Sequence, residues 1–324
     1  MQFAVPITRH VYLAPLLRRM AAAWVACVLA GAASAQTLYW DTNSTTAGAG
    51  ATPSATWSTT GGANKKWSTS SAGTLATANW TSGADAVFSA GTDATGAYTV
   101  TVSGTQNVSS ITVEEGHPTF SGGTAINFSD ATPDFTVASG STATVSTDLT
   151  GTNGLTKLGA GTVIFGTNDK AYTGTTTISA GTLQLNFNQT FTTVALAGGT
   201  LALNSATTTI TTLNLSANST IDFSSSVNTT LNLTTLNLNG FTLNITNWTA
   251  ASDFFYSTNW TGATYDTMGS SPMNLVTFNG FTASQTGWDS FDNQIRPNVP
   301  EPSTYGALLI GAMTALFAWR RRRA

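Results

Sequence analysis

Pairs of apolar residues separated by one residue recur through the middle of the chain, in two interleaved series. The first series comprises Val163/Phe165, Leu183/Leu185, Leu201/Leu203, Ile221/Phe223 and Leu243/Ile245, and the second comprises Thr176/Ile178, Val194/Leu196, Leu213/Leu215 and Leu231/Leu233. Each pair predicts a short strand with one buried face, because successive side chains of a strand point to opposite sides. A period of about 19 residues with two strands per period indicates a solenoid.

The residues between these pairs fit the same interpretation. Thr, which suits strands, occupies many of the intervening positions, and Gly and Asn supply the turns. One turn cannot bury its apolar face alone, so successive turns must stack into a continuous core. The pattern predicts an all-β fold, with a right-handed parallel β-helix as the preferred geometry and a β-sandwich as the alternative.

The composition divides the chain into five segments. Trp-rich stretches without regular periodicity flank the repeats and are expected to cap the solenoid, since its ends would otherwise expose the core. We expect a signal peptide at 1–35, an N-terminal cap region at 36–97, the β-solenoid at 98–246, an aromatic-rich C-terminal cap at 247–298 and a sorting signal at 299–324.

Charge is scarce and unevenly placed. Only 8% of the 324 residues are charged, whereas 62 are threonine, which disfavours a helical protein. Seven of the twelve basic residues lie in the two end segments. Residues 37–299 hold five basic and fourteen acidic residues, a net charge of −9. A body of this sign repels phosphate backbones, so nucleic acid is not an expected partner.

The N-terminal segment has the three parts of a secretory signal peptide. Three arginines precede an apolar run from Met20 to Gly31, and Ala33 and Ala35 form an A-x-A cleavage site. Cleavage is expected after Ala35. The only cysteine, Cys27, lies inside this segment, so the mature chain is expected to contain no disulfide.

The C-terminal segment has the character of a membrane anchor. An uncharged apolar run extends from Tyr305 to Trp319, and the arginines that follow are Arg320, Arg321, Arg322 and Arg323. Arginines on this side predict a single transmembrane helix with its C-terminal end in the cytoplasm and the body outside. Upstream, Pro300 and Pro302 hold Glu301 in an extended segment that a protease could grip.

The ordered series of Pro300-Glu301-Pro302, apolar helix and arginine run resembles the bacterial PEP-CTERM sorting domain. The resemblance implies processing at or near this motif by an exosortase, a membrane transpeptidase-like enzyme. It also implies a Gram-negative-type cell that exports such proteins, after transient anchoring in the inner membrane, to its surface or to an exopolysaccharide matrix.

A second resemblance covers residues 154–185, whose sequence is GLTKLGAGTVIFGTNDKAYTGTTTISAGTLQL. This segment is similar to the autotransporter-associated β-strand repeat, which lies in β-helical passenger regions of secreted surface proteins. The chain departs from true autotransporters because no run of membrane β-strands follows the repeats. Self-export through an outer-membrane barrel is therefore not implied.

Candidate catalytic and metal-binding residues are few. His117 beside Glu114 and Glu115 offers too few and too crowded ligands for a metal site, and the pairs Asp130/Asp134 and Asp289/Asp292 lie in polar, turn-like contexts. We expect no cofactor and no bound metal. The leading hypothesis is a non-enzymatic surface or matrix protein. A glycan-binding adhesin that uses exposed aromatic residues is the alternative, and a polysaccharide-active enzyme is less favoured.

Overall fold

The computed structural model describes residues 35–167, 170–224, 227–260, 272–289 and 291–297. The chain divides between Ala35 and Gln36 into two units, and the fold below belongs to the second. Its strands are β1 (Thr37–Trp40), β2 (Ala55–Trp57), β3 (Trp67–Ser68), β4 (Ala84–Phe88), β5 (Ala97–Val102), β6 (Thr105–Val113), β7 (His117–Ser121), β8 (Ala125–Phe128), β9 (Asp134–Val137), β10 (Thr142–Val145), β11 (Leu149–Gly151), β12 (Leu155–Leu158), β13 (Thr162–Phe165), β14 (Thr175–Ile178), β15 (Thr182–Leu185), β16 (Gln189–Leu196), β17 (Thr200–Leu203), β18 (Thr207–Leu215), β19 (Ser219–Phe223), β20 (Thr230–Asn237), β21 (Leu243–Thr246), β22 (Phe254–Trp260), β23 (Val276–Phe278), β24 (Thr286–Asp289) and β25 (Gln294–Pro297). Three short 3-10 helices span Gly62–Asn64, Met273–Leu275 and Ala283–Gln285.

The strands form two long sheets in which successive turns of the chain pair in parallel. The large sheet has fifteen strands and includes the order β22-β20-β18-β16-β14-β12-β9-β6-β4-β1, and the small sheet has ten, in the order β2-β5-β7-β10-β13-β15-β17-β19-β21-β23. Among the described residues this gives a β-solenoid of about eight turns. The all-β solenoid prediction is confirmed, because a β-sandwich would need antiparallel sheets rather than parallel pairing between turns.

The inward side chains of successive strands stack in rows. In the small sheet Leu183 lies opposite Val163 on one side and Leu201 on the other. Leu201 in turn lies opposite Ile221, and all four side chains are at most 2% exposed. Because each strand alternates buried and half-buried residues, one face of every turn contributes to a single continuous core.

The long strands of the large sheet contain a corner. Pairing between β16, β18 and β20 skips Thr192, Thr211 and Thr234, which are all exposed. The residue that follows each of them, which is Thr193 in β16, also points outward before the alternation resumes. Two successive outward residues reset the period-2 pattern, so one strand can serve two flat runs of the same turn.

Two of the predicted apolar pairs, Leu231/Leu233 and Leu243/Ile245, lie in a different register from the one that their spacing in the sequence predicts. Leu213 lies opposite Leu236, not Leu231, because a longer connection precedes β20 and shifts the register by five residues. Likewise Ile221 lies opposite Ile245, so the strand that contains Leu243 is displaced by two residues. A shift by two preserves the inward face, which is why the apolar pattern still fits.

Four tryptophans form an aromatic cluster at the N-terminal end of the core. Trp40, Trp57, Trp67 and Trp80 are at most 4% exposed, and the ring centroids of Trp67 and Trp80 are 4.5 Å apart. Trp57 and Trp67 also contact Phe88 edge-to-face, at 5.7 and 5.3 Å. These geometries are the ones that aromatic quadrupoles favour. Parallel pairing of β1 with β4 and of β2 with β5 begins within this Trp-rich region, before residue 98.

Antiparallel strands end the large sheet on both sides. β3 pairs antiparallel with β1, and β25 pairs antiparallel with both β22 and β24. At the second end Trp288 donates from Nε1 to the Ser257 carbonyl, and Arg296 forms ion pairs with Asp289 (2.7 Å) and Asp292 (3.0 Å). Asp289 and Asp292 are therefore held by Arg296 and do not form an open carboxylate pair.

Lys157 is a buried cation without a carboxylate partner in the described residues. Its Nζ donates to the carbonyls of Leu158 (2.7 Å), Gly159 (2.8 Å) and Ala180 (3.1 Å). Ala180 belongs to the next turn, so the ammonium ties two turns together. Burial lowers the pKa of Lys157 from 10.5 to about 8, because a charged amine is poorly solvated at a side chain only 2% exposed.

A second buried lysine plays a comparable part. Lys170 donates from Nζ to the carbonyls of Thr147 (2.9 Å) and Thr167 (2.6 Å), and the same nitrogen lies 5.8 Å from the ring centroid of Phe165. The carbonyl of Thr147 comes from the preceding turn. Both lysines therefore satisfy buried turn carbonyls, which would otherwise lack donors.

Replacing Gly159 with alanine should destabilise the protein by at least about 2 kcal/mol more than replacing Gly140 with alanine. Both glycines have positive φ (+72° and +81°), so both variants carry the same backbone penalty. A Cβ at Gly159 would lie 2.2 Å from the Val137 carbonyl oxygen of the preceding turn, whereas nothing lies within 4 Å at Gly140. Urea denaturation followed by circular dichroism measures the difference, and equal losses would contradict the close stacking of turns at Gly159.

The free energy of unfolding should rise with pH above about 8 in the wild-type protein. In the Lys157→Met variant this rise should be absent. Between pH 8 and 10.5 the unfolded chain keeps the Lys157 proton while the folded protein releases it, so increasing pH favours folding by up to roughly 2–3 kcal/mol. Denaturant titrations at pH 7.0 to 9.5 measure the slope. Above about pH 10 the buried Tyr98, whose pKa is raised, acts in the opposite direction.

The matched control is the exposed Lys65, because Lys65→Met removes the same charge without touching a buried ammonium. That variant should keep the wild-type slope. An unchanged slope in Lys157→Met would show that Lys157 stays protonated through this range.

Candidate functional site

An open polar depression of about 240 Å³ lies on the outer face of the small sheet. The residues that line it point outward from three successive strands, β15, β17 and β19, and from the segment that follows β21. The outward-facing lining residues are Gln184, Ala202, Asn204, Asp222, Ser224 and Asn247. None of them belongs to the predicted signal peptide or to the predicted sorting signal, so the depression is a feature of the folded solenoid itself.

The depression exists because one row of the sheet contains a small residue between larger ones. Gln184 lies opposite Ala202, Ala202 lies opposite Asp222, and Asp222 lies opposite Thr246. The four positions form a row across neighbouring strands, which are ~4.8 Å apart. The methyl group of Ala202 leaves a gap that its neighbours border with amide and carboxylate groups.

One wall of the depression is a ladder of side-chain hydrogen bonds. Asn186 Oδ1 accepts from Gln184 Nε2 (2.7 Å) and from Asn204 Nδ2 (3.0 Å), and Asn204 Oδ1 accepts from Ser224 Oγ (2.8 Å). Asn186, Asn204 and Ser224 each follow directly after the last buried residue of their strand, so the turn register places them side by side. The ladder holds these side chains in fixed rotamers.

Asp222 organises the other wall. Its Oδ1 accepts from Thr246 Oγ1 (2.8 Å) and from Asn247 Nδ2 (2.6 Å). Its Oδ2 accepts no hydrogen bond from any residue that the structure describes, and the same holds for Gln184 Oε1 and Asn247 Oδ1. The depression therefore offers acceptor oxygens and carries a negative charge.

The aromatic residues are distributed differently from what sugar stacking on tryptophan requires. Trp288 is 8% exposed, and the four tryptophans of the N-terminal cluster are more deeply buried. Trp248 is half-buried and packs edge-to-face on Phe278, with ring centroids 5.1 Å apart. By contrast Phe187, which follows Asn186 of the ladder, is 47% exposed.

Two of the carboxylates singled out in the sequence, Glu115 and Asp130, have structural partners. Glu115 accepts from Ser89 Oγ (3.1 Å) and from the Ala94 backbone N–H (3.0 Å). Hydrogen bonds from the Thr132 backbone N–H (3.0 Å) and from Ser109 Oγ (2.8 Å) lower the pKa of Asp130. Across residues that the structure describes, no three His, Cys, Asp or Glu side chains gather into a group that could hold a metal ion.

The predicted sorting and anchoring residues lie outside the described ranges. This applies to Ala33 and to the motif, anchor and arginine residues, which are Pro300, Glu301, Pro302, Tyr305, Trp319, Arg320, Arg321, Arg322 and Arg323. Ala35 is described and is half-buried. In the part of the chain that is described, no helix has the length and apolar character needed to cross a membrane.

Sequence reasoning did not find the polar depression, although a signal for it is present. Gln184, Ala202 and Asp222 are the middle residues of three successive apolar-x-apolar pairs, so the pattern already places them on one outward face. The pattern does not give the register of β21, the strand that pairs with β19 beside Asp222. Spacing places Asn244 beside Asp222, whereas the structure places Thr246 there and brings Asn247 to the depression.

Comparisons with known proteins find three similarities. Residues 155–185 match the passenger-associated-transport-repeat family, and residues 298–323 match the PEP-CTERM protein-sorting motif. A stretch of 164 residues, half of this chain, is 36% identical to part of the adhesin BmaC autotransporter of Brucella suis biovar 1 (strain 1330). This stretch covers 4% of that protein's length, and no solved structure matches the chain.

Both resemblances inferred from the sequence are thereby confirmed at the predicted positions. The repeat match begins at β12 and ends at β15, so it coincides with the turns that contain Lys157 and Lys170. The chain carries a passenger-associated transport repeat within its β-solenoid and a PEP-CTERM protein-sorting motif at residues 298–323.

Proposed function

We propose that this protein is exported, sorted through its PEP-CTERM motif by an exosortase-type enzyme, and retained at the cell surface or in an exopolysaccharide matrix as a non-enzymatic structural β-solenoid. The observation that carries the proposal is the PEP-CTERM match at residues 298–323. The motif follows a folded solenoid, so the chain combines a folded domain with a separate sorting signal. A passenger-type repeat and a stretch similar to an adhesin autotransporter support the same surface location.

The surface of the solenoid suits a hydrated extracellular surrounding. Its outward rows consist largely of hydroxyl and amide side chains, such as the row Thr142, Thr162, Thr182, Thr200 and Thr220 in the small sheet. These groups hydrogen-bond to water or to polysaccharide hydroxyls without adding charge. The fold reaches stability through stacked turns rather than disulfides, which agrees with a body that contains no cysteine.

The route of export is the finer part of the proposal. Signal-peptide cleavage after Ala35 would release Gln36 as the first residue of the folded unit. The apolar run Tyr305–Trp319 would hold the protein in the inner membrane, with Arg320–Arg323 on the cytoplasmic side. Cleavage at or near Pro300–Pro302 would then free the solenoid from this anchor.

A glycan-binding adhesin is the second candidate, and two observations favour it. The first is the similarity to an adhesin autotransporter over half of this chain. The second is the polar depression, which offers acceptor oxygens that receive no hydrogen bond from the residues the structure describes. The two candidates are compatible, since a matrix protein can also bind the polysaccharide around it.

The double variant Pro300→Ala, Pro302→Ala should accumulate unprocessed in the membrane fraction of the producing cell, whereas the wild-type protein reaches the surface. Removing both prolines frees the segment around Glu301 from its extended conformation and removes the motif that the sorting enzyme would recognise. Cell fractionation with immunoblotting against the solenoid, followed by peptide mass spectrometry of the C-terminal region, measures the outcome.

Pro272→Ala is the matched control, because it removes a proline within the folded body and should leave sorting unchanged. Surface delivery of the double variant at wild-type levels would contradict recognition of the motif. Retention of the Pro272→Ala variant as well would indicate that the assay reports folding instead of sorting.

A further inference from the structure

We propose that the polar depression on the small sheet binds a neutral, hydroxyl-rich glycan chain. The inference rests on the proposed function only in assuming that the protein meets polysaccharide after export. Everything else comes from the chemistry of Gln184, Ala202, Asp222 and Asn247 and from the residues that hold them.

Three oxygens of the depression are open acceptors. Gln184 Oε1, Asp222 Oδ2 and Asn247 Oδ1 receive no hydrogen bond from the described residues, whereas the amide nitrogens of Gln184 and Asn247 each already donate one hydrogen bond within the protein. A ligand that uses these oxygens must therefore supply donors. Sugar hydroxyls supply donors on every ring. Among protein side chains, a carboxylate is the strongest hydrogen-bond acceptor that can be offered to a neutral ligand.

The charge of the site decides between neutral and acidic polymers. Asp222 lines the depression, and none of the basic residues of the body does. A uronate or phosphate group would bring a second negative charge beside this carboxylate without a compensating cation, which costs binding energy. The net charge of −9 over residues 37–299 acts in the same direction at longer range.

The lining residues are held in place before any ligand arrives. Asn186, Asn204 and Ser224 fix one another through the ladder, and Thr246 and Asn247 fix the Asp222 carboxylate. A site whose rotamers are already fixed loses little side-chain entropy on binding. The depression is therefore organised rather than a gap between mobile surface side chains.

Phe187 is an exposed apolar side chain one residue beyond the ladder that forms a wall of the depression. It follows Asn186 directly in the chain and is 47% exposed, whereas Trp288 and the four tryptophans of the N-terminal cluster are buried and Trp248 is half-buried. Small-molecule sites usually combine aromatic side chains with a few convergent polar groups. The face of a sugar ring, which presents C–H groups, matches such a surface while its hydroxyls reach the acceptors.

The shape of the site favours a chain over a single sugar. Gln184, Ala202, Asp222 and Thr246 form a row over four strands, which spans ~14 Å along the solenoid axis. A polymer that runs along this axis meets one position per strand. Successive sugar units can therefore use successive acceptors.

The test is affinity gel electrophoresis of the purified protein in gels that contain dextran, galactomannan or xyloglucan as neutral probes, or polygalacturonate as an acidic probe. At least one neutral probe should retard the wild-type protein, and polygalacturonate should not. Ala202→Gln fills the depression without removing any polar group and should weaken retardation about tenfold or more. Phe187→Ala should weaken it as well.

Ala195→Gln is the matched control. Ala195 is the outward, half-buried counterpart on the large sheet, between Thr177 and Asn214, so the same substitution is made on the other face of the solenoid. This variant should be retarded like the wild type. Circular dichroism and thermal melting of all variants establish that they are folded.

Three results would overturn the proposal. They are no retardation by any neutral probe, equal weakening by Ala202→Gln and Ala195→Gln, and retardation that disappears with EDTA and returns with Ca²⁺, which would make the acceptors a cation site. None of these results bears on sorting, because the assay uses purified protein. Failure of the glycan proposal and failure of the sorting proposal are therefore distinguishable.

Discussion

Stacking of apolar side chains between successive turns is the interaction on which the rest of this structure depends. Rows such as Val163, Leu183, Leu201 and Ile221 are almost fully buried, yet each turn alone would expose them. Parallel backbone hydrogen bonds hold the turns at a fixed spacing, which brings the apolar rows into contact. The close approach at Gly159, where a Cβ would meet the Val137 carbonyl, is a direct consequence of that spacing.

The same repetition that builds the core also determines the outer surface. Since inward residues must stay in register, the residues between them align in rows, and neighbours in a row hydrogen-bond across turns. Asn107, Asn127 and Thr150 form one such ladder in the large sheet, with bonds of 2.9 and 3.0 Å. A single small residue, Ala202, interrupts another row and produces the polar depression. The polar depression therefore arises from a local exception to the regular rows.

The sequence predicts the architecture well because the core requires a strict pattern. The pairs Val163/Phe165 to Ile221/Phe223 lie in register as their spacing implies, since the turns between them are of nearly constant length. Leu231/Leu233 fail this test, because the connection before β20 is longer and Leu236 takes the place opposite Leu213. The spacing of apolar pairs alone does not show how many residues the connection between two strands contains.

The polar depression was harder to predict for the same reason. Asp222 and its partner Thr246 come together only through the shifted register of β21, which no local pattern encodes. The PEP-CTERM motif shows the opposite case. Its recognition depends on residue types in order along the chain, so Pro300, Glu301 and Pro302 can be identified without any knowledge of the fold. The sequence thus predicts the core and the PEP-CTERM motif, and the structure supplies the geometry of the outer faces.

Intact-mass spectrometry of the protein recovered from the surface or extracellular matrix of the producing cell tests the central claim most directly. The account predicts a chain that begins at Gln36 and ends at or near Pro300–Pro302, without the four arginines. Recovery from that location of a chain that still carries residues 1–35 or the Arg320–Arg323 tail would contradict sorting through the PEP-CTERM motif.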